Sequence, residues 1–424
     1  MSERTSVATG AVRAATVVTM AGGPVPRRGS ALGSPEVVRD GIVAWADGLV
    51  TYAGPADGGD GESAVDGGVG SAVEDLGEVA VVPGFVDCHT HVPFFGWRAD
   101  EFEARIAGRS YRDLHGGGGG IPRSARLLAS ATDDEVLAFC RPIVAEMLGG
   151  GTTSLELKTG YGLSVGAELR QARLARRLAE EIPQACSVTL LACHAVPSGM
   201  EREAWVDVVC AELIPAAAAE GLVDAVDVYV EDIAFSLEDL RRVAEAAGEA
   251  GLALRCHADQ LGHSAASEEA VRLGARSADH LNHTGAEGVA ALAGAEGTVA
   301  GVLPTSTFML RAQPPPAREL IDAGAALAVA TDCNPGTSPV LSMPEVVAMA
   351  CTLYRLTPLE ALSAASINPA WVLGLHDRVG SLEPGKRADF VVLDSADIAM
   401  APYRPGHNPV LQTRIGGTVV SQRG

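Results

Sequence analysis

The feature that most constrains this chain is a repeated alternation. Short β-rich runs at residues 84–91, 152–158, 187–194, 225–231, 252–257, 277–280, 298–303 and 327–332 are each followed by a longer segment rich in Ala, Leu, Glu and Arg. Repeated βα units of this kind build a parallel sheet. Eight of them in one stretch favour a closed (β/α)8 barrel of the TIM type over an open doubly wound sheet. The first run is not followed by a G-x-G-x-x-G turn, which weighs the same way. Polar residues are concentrated at the ends of the runs: His89 and His91, Lys158, His194, Glu231, His257, His280 and Asp332. In a closed barrel those ends form one catalytic face, so residues far apart in sequence converge.

The two chain ends read differently. Alternating apolar residues run from Ala14 to Met20 and from Ile42 to Tyr52, followed by a Gly- and Asp-rich stretch from about Gly54 to Gly70 that reads as a surface loop. Near the other end, Phe390 to Leu393 and Thr413 to Val420 are strand-like, with a turn at Gly416-Gly417. The ends are expected to pair into one small β-sandwich domain made of residues 1–82 and 383–424, leaving residues 83–382 for the barrel. The whole is an α/β protein, and 424 residues with 47% hydrophobic content suffice for both parts.

A formal charge of -21 argues against nucleic acid and anionic membrane surfaces as partners, since phosphate binding needs clustered Lys and Arg. An anionic substrate would need a local positive clamp. No uninterrupted apolar run approaches the roughly 20 residues that span a bilayer, and the first residues lack the ordered parts of a signal peptide. A cytoplasmic location is the expectation. The eight Cys residues form no C-x-x-C pair and are expected to be reduced core residues.

His89 and His91 lie two residues apart and so share one face of a strand, about 7 Å apart at the backbone, while Cys88 points away. By the same parity Cys193 and Cys256 turn from His194 and His257 and pack under the outer helices. An H-x-H pair alone is a weak signal. Joined by a histidine and an aspartate at other strand ends, His257 and Asp332, it makes three imidazoles and a carboxylate, a set suited to zinc or iron with a position left for water. Such an ion lowers the pKa of water from 15.7 toward about 7 and polarises a carbonyl, the chemistry needed to hydrolyse an unreactive C–N bond.

This order of ligands resembles the amidohydrolase superfamily. Binuclear members carry a carbamylated lysine ending strand four, whereas the fourth run here ends Val228-Tyr229-Val230-Glu231-Asp232. Lys158, on the second run, is expected to be a supporting or surface-pairing lysine, and the site to hold one Zn2+ or Fe2+/Fe3+ per subunit. At a finer level the chain resembles the imidazolonepropionase family over almost its whole length. The discriminating stretches are Lys158-Thr159-Gly160-Tyr161-Gly162 and Asp332-Cys333-Asn334-Pro335-Gly336-Thr337. The resemblance implies a small anionic imidazolone substrate, 4-imidazolone-5-propanoate, opened to N-formimidoyl-L-glutamate by a metal-activated water, and a homodimer.

The residues fit such a substrate. Arg98 offers a guanidinium fork for a propionate carboxylate, and Tyr161 a phenol hydroxyl from a Gly-flanked loop. The resemblance assigns His194 a hydrogen bond to the imidazolone oxygen, where a donor would stabilise developing charge. It gives Asn334, Gly336 and Thr337 substrate or product contacts, although turn geometry alone accounts for Asn-Pro-Gly. His280 is the candidate general base, an ordinary histidine pKa of about 6.5 being suited to that task. Gln260 stands where related deaminases place a glutamate; an amide orients substrate or water but cannot carry a proton. Proton transfer therefore falls to His280 and Asp332. The competing readings are another cyclic-amide hydrolase or an aminohydrolase on the same scaffold, and, from another class, a non-catalytic barrel scaffold. His263 and His283 are expected to be exposed or flanking, His115, His376 and His407 are unconstrained, and the Gly116–Gly120 run is a candidate lid.

Overall fold

A computed structural model describes residues 9–57, 73–109 and 118–424. Among the described residues, sixteen strands fall into two eight-stranded sheets. The parallel sheet takes β6 (Phe85–Asp87), β7 (Thr152–Lys158), β8 (Ala185–Cys193), β9 (Ala225–Val230), β10 (Ala253–Ala258), β11 (Ser277–His280), β12 (Val299–Val302) and β13 (Leu327–Val329), each beside its neighbour in sequence. All eight expected runs are strands, and helices such as Val165–Glu181 and Leu237–Glu249 return the chain between them. The run expected over 84–91 is extended only to Asp87, and the residues after it, including both histidines, form the rim.

Closure between the first and last strands is made by side chains and a single bridge. Asp87 accepts from the Thr331 amide at 3.1 Å and hydroxyl at 2.6 Å, Thr90 pairs with Cys333, and the His91 amide donates to Cys333 O at 2.8 Å. Burial pushes the Asp87 carboxyl up to about 7, against those two donors. The apolar packing between strands and helices is led by Leu155, Leu157, Val188, Leu190, Val226 and Val228. Cys193 and Cys256 belong to it, as their parity requires.

The second sheet is mixed, in the order β16 (Thr418–Gln422), β15 (Val410–Ile415), β14 (Phe390–Leu393), β5 (Ala80–Pro83), β1 (Gly10–Val18), β2 (Val37–Ala46) and β3 (Leu49–Pro55), with β4 (Glu74–Asp75) beside β1. Both chain ends meet where β5 pairs antiparallel with β14. The small β unit is thus built as one mixed sheet. One side packs Val12, Val17, Val43, Trp45, Val81, Phe390 and Val392 together. The other packs Val18, Ala80, Val82, Val391 and Leu393 with Leu327, Val329 and helical residues of the barrel. Gly84 joins β5 to β6, so this sheet hands the chain directly to the first barrel strand.

No described helix is long and apolar enough to cross a membrane, and all eight cysteines are free. Most of the expected 54–70 loop, with His115, Gly116 and Gly117, lies outside the described residues, while Gly120 begins the helix Gly120–Ser130.

Candidate metal centre and substrate cavity

His89, His91, His257, His280 and Asp332 meet at the rim of the barrel, all buried. Two overlapping triads, His89 with His257 and His280, and His89 with His91 and Asp332, each bring one ligand atom per residue within 4.8 Å of one another. Asp332 Oδ1 is 3.3 Å from His91 Nε2 and 3.7 Å from His89 Nε2. Asp332 (φ 53°) and His280 (φ 81°) both hold left-handed backbone, uncommon for non-glycine residues and concentrated at functional sites.

The tautomers of two histidines follow from their partners. His89 Nδ1 donates to Asp279 Oδ2 at 2.9 Å, and His257 Nδ1 donates to Asp227 Oδ1 at 3.0 Å. Each ring therefore presents a lone pair at Nε2, and those two nitrogens face each other at 3.1 Å. Two acceptors in contact need a shared proton or a cation. Burial, with Lys158 and the neighbouring histidines, holds the His89 pKa well below its usual value. A proton on His89 is therefore disfavoured, and the donor set fits a metal cation, with carboxylates behind the histidines as such sites require.

Beneath these side chains lies a chain of buried charge. Asp279 accepts from Arg255 Nη2 at 2.8 Å, Arg255 Nη1 meets Glu156 Oε1, Lys158 Nζ lies 2.9 Å from Glu156 Oε2, and Lys158 donates to Asp227 Oδ2 at 2.7 Å. Burial alone would raise the Asp227 carboxyl, but His257 and Lys158 outweigh it and hold it well below the ordinary range. Lys158 is completely buried, so the surface-pairing alternative is excluded. None of Asp227, Asp279, Glu156 or Arg255 had been given a role from the sequence. The available signal was parity: Glu156 with Lys158, and Arg255 with His257, are i, i+2 pairs on one face.

The cavity above is lined by His91, Arg98, Ile121, Tyr161, His194, Tyr229, His257, Gln260, His280, Asp332, Asn334 and Thr337. Tyr229 is an addition to the sequence-based set. Arg98 is only 3% exposed, which excludes a surface arginine. Its Nε donates to Glu101 at 3.0 Å and Nη1 to Ser124, while no hydrogen bond engages Nη2 among the described residues. Gly336 is not a lining residue; it sits behind Arg98, and a Cβ there would lie 1.8 Å from Arg98 Nη2.

This geometry bears on three expectations. His280 does not keep an ordinary pKa: burial, only partly opposed by Asp332, lowers it to about 3, so it is a neutral, weakly basic imidazole. His194 stacks on His91 with ring centroids 5.1 Å apart, and its Nδ1 donates to Gly160 O at 3.1 Å. Burial holds its pKa well below normal, so the neutral ring offers an acceptor at Nε2 and only its cation would donate to a substrate oxygen. Asn334 is spent on its own loop: Oδ1 accepts from the Gly336 amide at 2.9 Å, the Thr337 amide at 2.7 Å and the Thr337 hydroxyl at 3.0 Å, while Nδ2 donates to Asp332 O at 2.7 Å.

Gln260 is half-buried, and its amide, like that of Leu261, donates to Glu231 Oε1, at 2.7 and 2.8 Å. Burial pushes the Glu231 carboxyl up to about 7 despite those two donors. The His263 side chain is half exposed and His283 is partly buried. His407 pairs with Asp394 at 2.7 Å, and His376 stacks near Trp371; neither lines the cavity.

Comparison with known proteins places this geometry. The model of the amidohydrolase family matches residues 80–420. An imidazolonepropionase from Rhizorhabdus wittichii is 44% identical over 89% of this chain and 94% of its own. One from Deinococcus radiodurans is 42% identical over 93% and 95%. Among solved structures, a zinc-bound adenosine deaminase from Xanthomonas campestris superposes with a TM-score of 0.72 at 20% identity, covering 97% of this chain and 92% of that one. The guanine deaminase of E. coli gives 0.71 at 17%, covering 98% and 100%. At those identities the two structures speak to the fold alone.

Proposed function

The chain belongs to the amidohydrolase family and, within it, to the imidazolonepropionases, and from that premise we propose that it opens the ring of 4-imidazolone-5-propanoate with water to give N-formimidoyl-L-glutamate in histidine degradation. It is a hydrolase acting on a cyclic-amide C–N bond. The observation that carries the reading is one cavity with paired Nε2 acceptors at its base and a buried arginine on its wall.

The ligands His89, His91, His257 and Asp332 would hold one Zn2+ or iron ion per subunit, and His280 stands close enough to join them. Such an ion supplies a water of lowered pKa and a Lewis acid toward the substrate carbonyl. Lys158 does not serve a second ion, because its Nζ is committed to Glu156 and Asp227.

Arg98 Nη2 takes the propionate carboxylate, and Tyr161 and Tyr229 close the wall around the ring. The neutral His194 accepts a ring N–H at Nε2, and its cation donates to the ring oxygen. Asn334 and Thr337 keep the loop after β13 in shape, with Gly336 making room for Arg98. Asp332, whose carboxyl is raised by burial, moves the proton from water to the departing ring nitrogen, and the neutral His280 beside it accepts a hydrogen bond from that water. Gln260 orients by hydrogen bonding only, so nothing in the cavity favours the aminohydrolase reading. We place the enzyme in the cytoplasm as a homodimer, with residues 83–382 as the catalytic unit and residues 1–82 and 383–424 as its β companion.

The test is direct. Metal-loaded protein is given freshly generated imidazolone propionate and loss of its ultraviolet band is followed, with the formimidoyl product identified by mass. Turnover is expected; inactivity of protein loaded with zinc or with iron would sink the assignment.

A further inference from the structure

Barrel interiors are ordinarily filled by Val, Ile and Leu. Here the layer beneath the rim contains Glu156, Lys158, Asp227, Arg255 and Asp279, none more than 1% exposed. Buried ion networks of this kind are seldom more stable than apolar packing of the same volume, so stability does not explain them. Their connectivity is specific. From one metal-site histidine to the other runs His89, Asp279, Arg255, Glu156, Lys158, Asp227, His257, with anionic and cationic side chains alternating between the two rings.

We infer that these five residues act as one positioning unit that fixes both histidine tautomers together, and that Lys158 is the residue on which the unit depends. The inference rests on the metal-centre reading above. Lys158 spans the two carboxylates, Glu156 at 2.9 Å and Asp227 at 2.7 Å, and so ties the His257 arm to the His89 arm. Ser277 and Thr189 complete the circuit: Arg255 Nε donates to Ser277 Oγ at 3.0 Å, and the Thr189 hydroxyl donates to Glu156. Three carboxylates against two cations leave one excess negative charge. Asp332 adds a second, which matches the charge of a divalent ion. Both imidazoles are thereby held as Nδ1–H donors with Nε2 turned to a common point before any ion arrives, and a carboxylate behind a ligand imidazole also raises its basicity.

The experiment uses full-length protein stripped of metal and titrated with cobalt(II), reading affinity by chelator competition, the visible absorption of the bound ion, and melting of the metal-free form. Wild type should take up one cobalt per chain; failure to do so would count against the metal centre itself. Lys158→Met should bind cobalt about 10–100-fold more weakly with a shifted absorption band, and Lys158→Arg should recover part of both. Should Lys158→Met fail to fold, Lys158→Met with Glu156→Gln removes one charge of each sign; it should melt near wild type and still bind cobalt weakly. Asp227→Asn combined with Asp279→Asn should lose less affinity than the product of the single losses, because breaking either arm already loosens the other. Wild-type affinity and spectrum in a folded Lys158→Met protein, or in the charge-balanced double variant, would overturn the inference, as would losses that multiply.

Discussion

The two eight-stranded sheets solve the problem of burial in opposite ways. The mixed sheet covers itself mainly with Val12, Val17, Val43, Val81, Phe390 and Val392, with Arg414 laid over the Phe390 ring and paired with Glu74 at its margin. The barrel encloses Glu156, Lys158, Asp227, Arg255 and Asp279 and must satisfy each charge with another. The difference teaches where the function lies. Apolar packing tolerates substitutions of like volume, whereas a buried charge missing its partner is costly. The mixed sheet is therefore a stability element, and the barrel interior is a site.

The comparison breaks most visibly at the ligands. His257→Ala should lower kcat/KM by roughly 10⁴-fold or more, since the ion contributes several kcal/mol to the transition state at about 1.4 kcal/mol per tenfold. The steady-state assay should find this with metal content reduced and the apoprotein still folded. If activity survived, the ligand set would be wrong. In the mixed sheet, Phe390→Ala deletes a ring packed 5.6 Å from that of Trp45 and should cost about 3–5 kcal/mol of stability. Below the melting transition kcat should be unchanged, and a fall in kcat would erase the division between the sheets.

Arg98→Met tests the cavity wall. It should lower kcat/KM by about 10–100-fold, mainly through KM, because a charge-assisted bond to the carboxylate is lost; zinc affinity should be unaffected. The smallest effect concerns Glu231 at the rim. Its carboxyl is raised to about 7 in the folded protein, so the folded state favours the protonated form. That contribution is fully present below the unfolded carboxylate pKa of about 4.3 and is lost as pH rises through about 7. Glu231→Gln removes the ionisation and keeps an oxygen for the Gln260 and Leu261 amides. Its melting temperature should gain on wild type between pH 5 and pH 8. Parallel curves would show that Glu231 ionises freely.

Much of the site was legible because its signals are local. Strand positions follow from β-rich runs, and parity placed His89 with His91 and turned Cys193 and Cys256 into the core. Arg98 and Tyr161 were found through the stretches around them, and both line the cavity. Asp227 and Asp279 were not found, because one acidic residue in a strand gives no hint of its partner when that partner is on another strand. Tyr229 gives no signal of its own in the sequence, because a tyrosine inside an apolar strand reads as core, and it lines the cavity. Asn334 is a case where one motif carries two readings: Asn-Pro-Gly suggests a turn and a substrate contact, its hydrogen bonds hold the turn, and it also lines the cavity.

By itself the sequence determined the order of the strands, the polar residues at their ends and the donor types available to a metal, since each depends on neighbours a few residues away. Only the tertiary structure decided which nitrogen of each histidine faces the centre, that His280 stands among the ligands with a lowered pKa, and that five buried charges join the two histidines. Those properties depend on separations and desolvation set by barrel closure, at Asp87 with Thr331 and Thr90 with Cys333. No spacing along the chain encodes them.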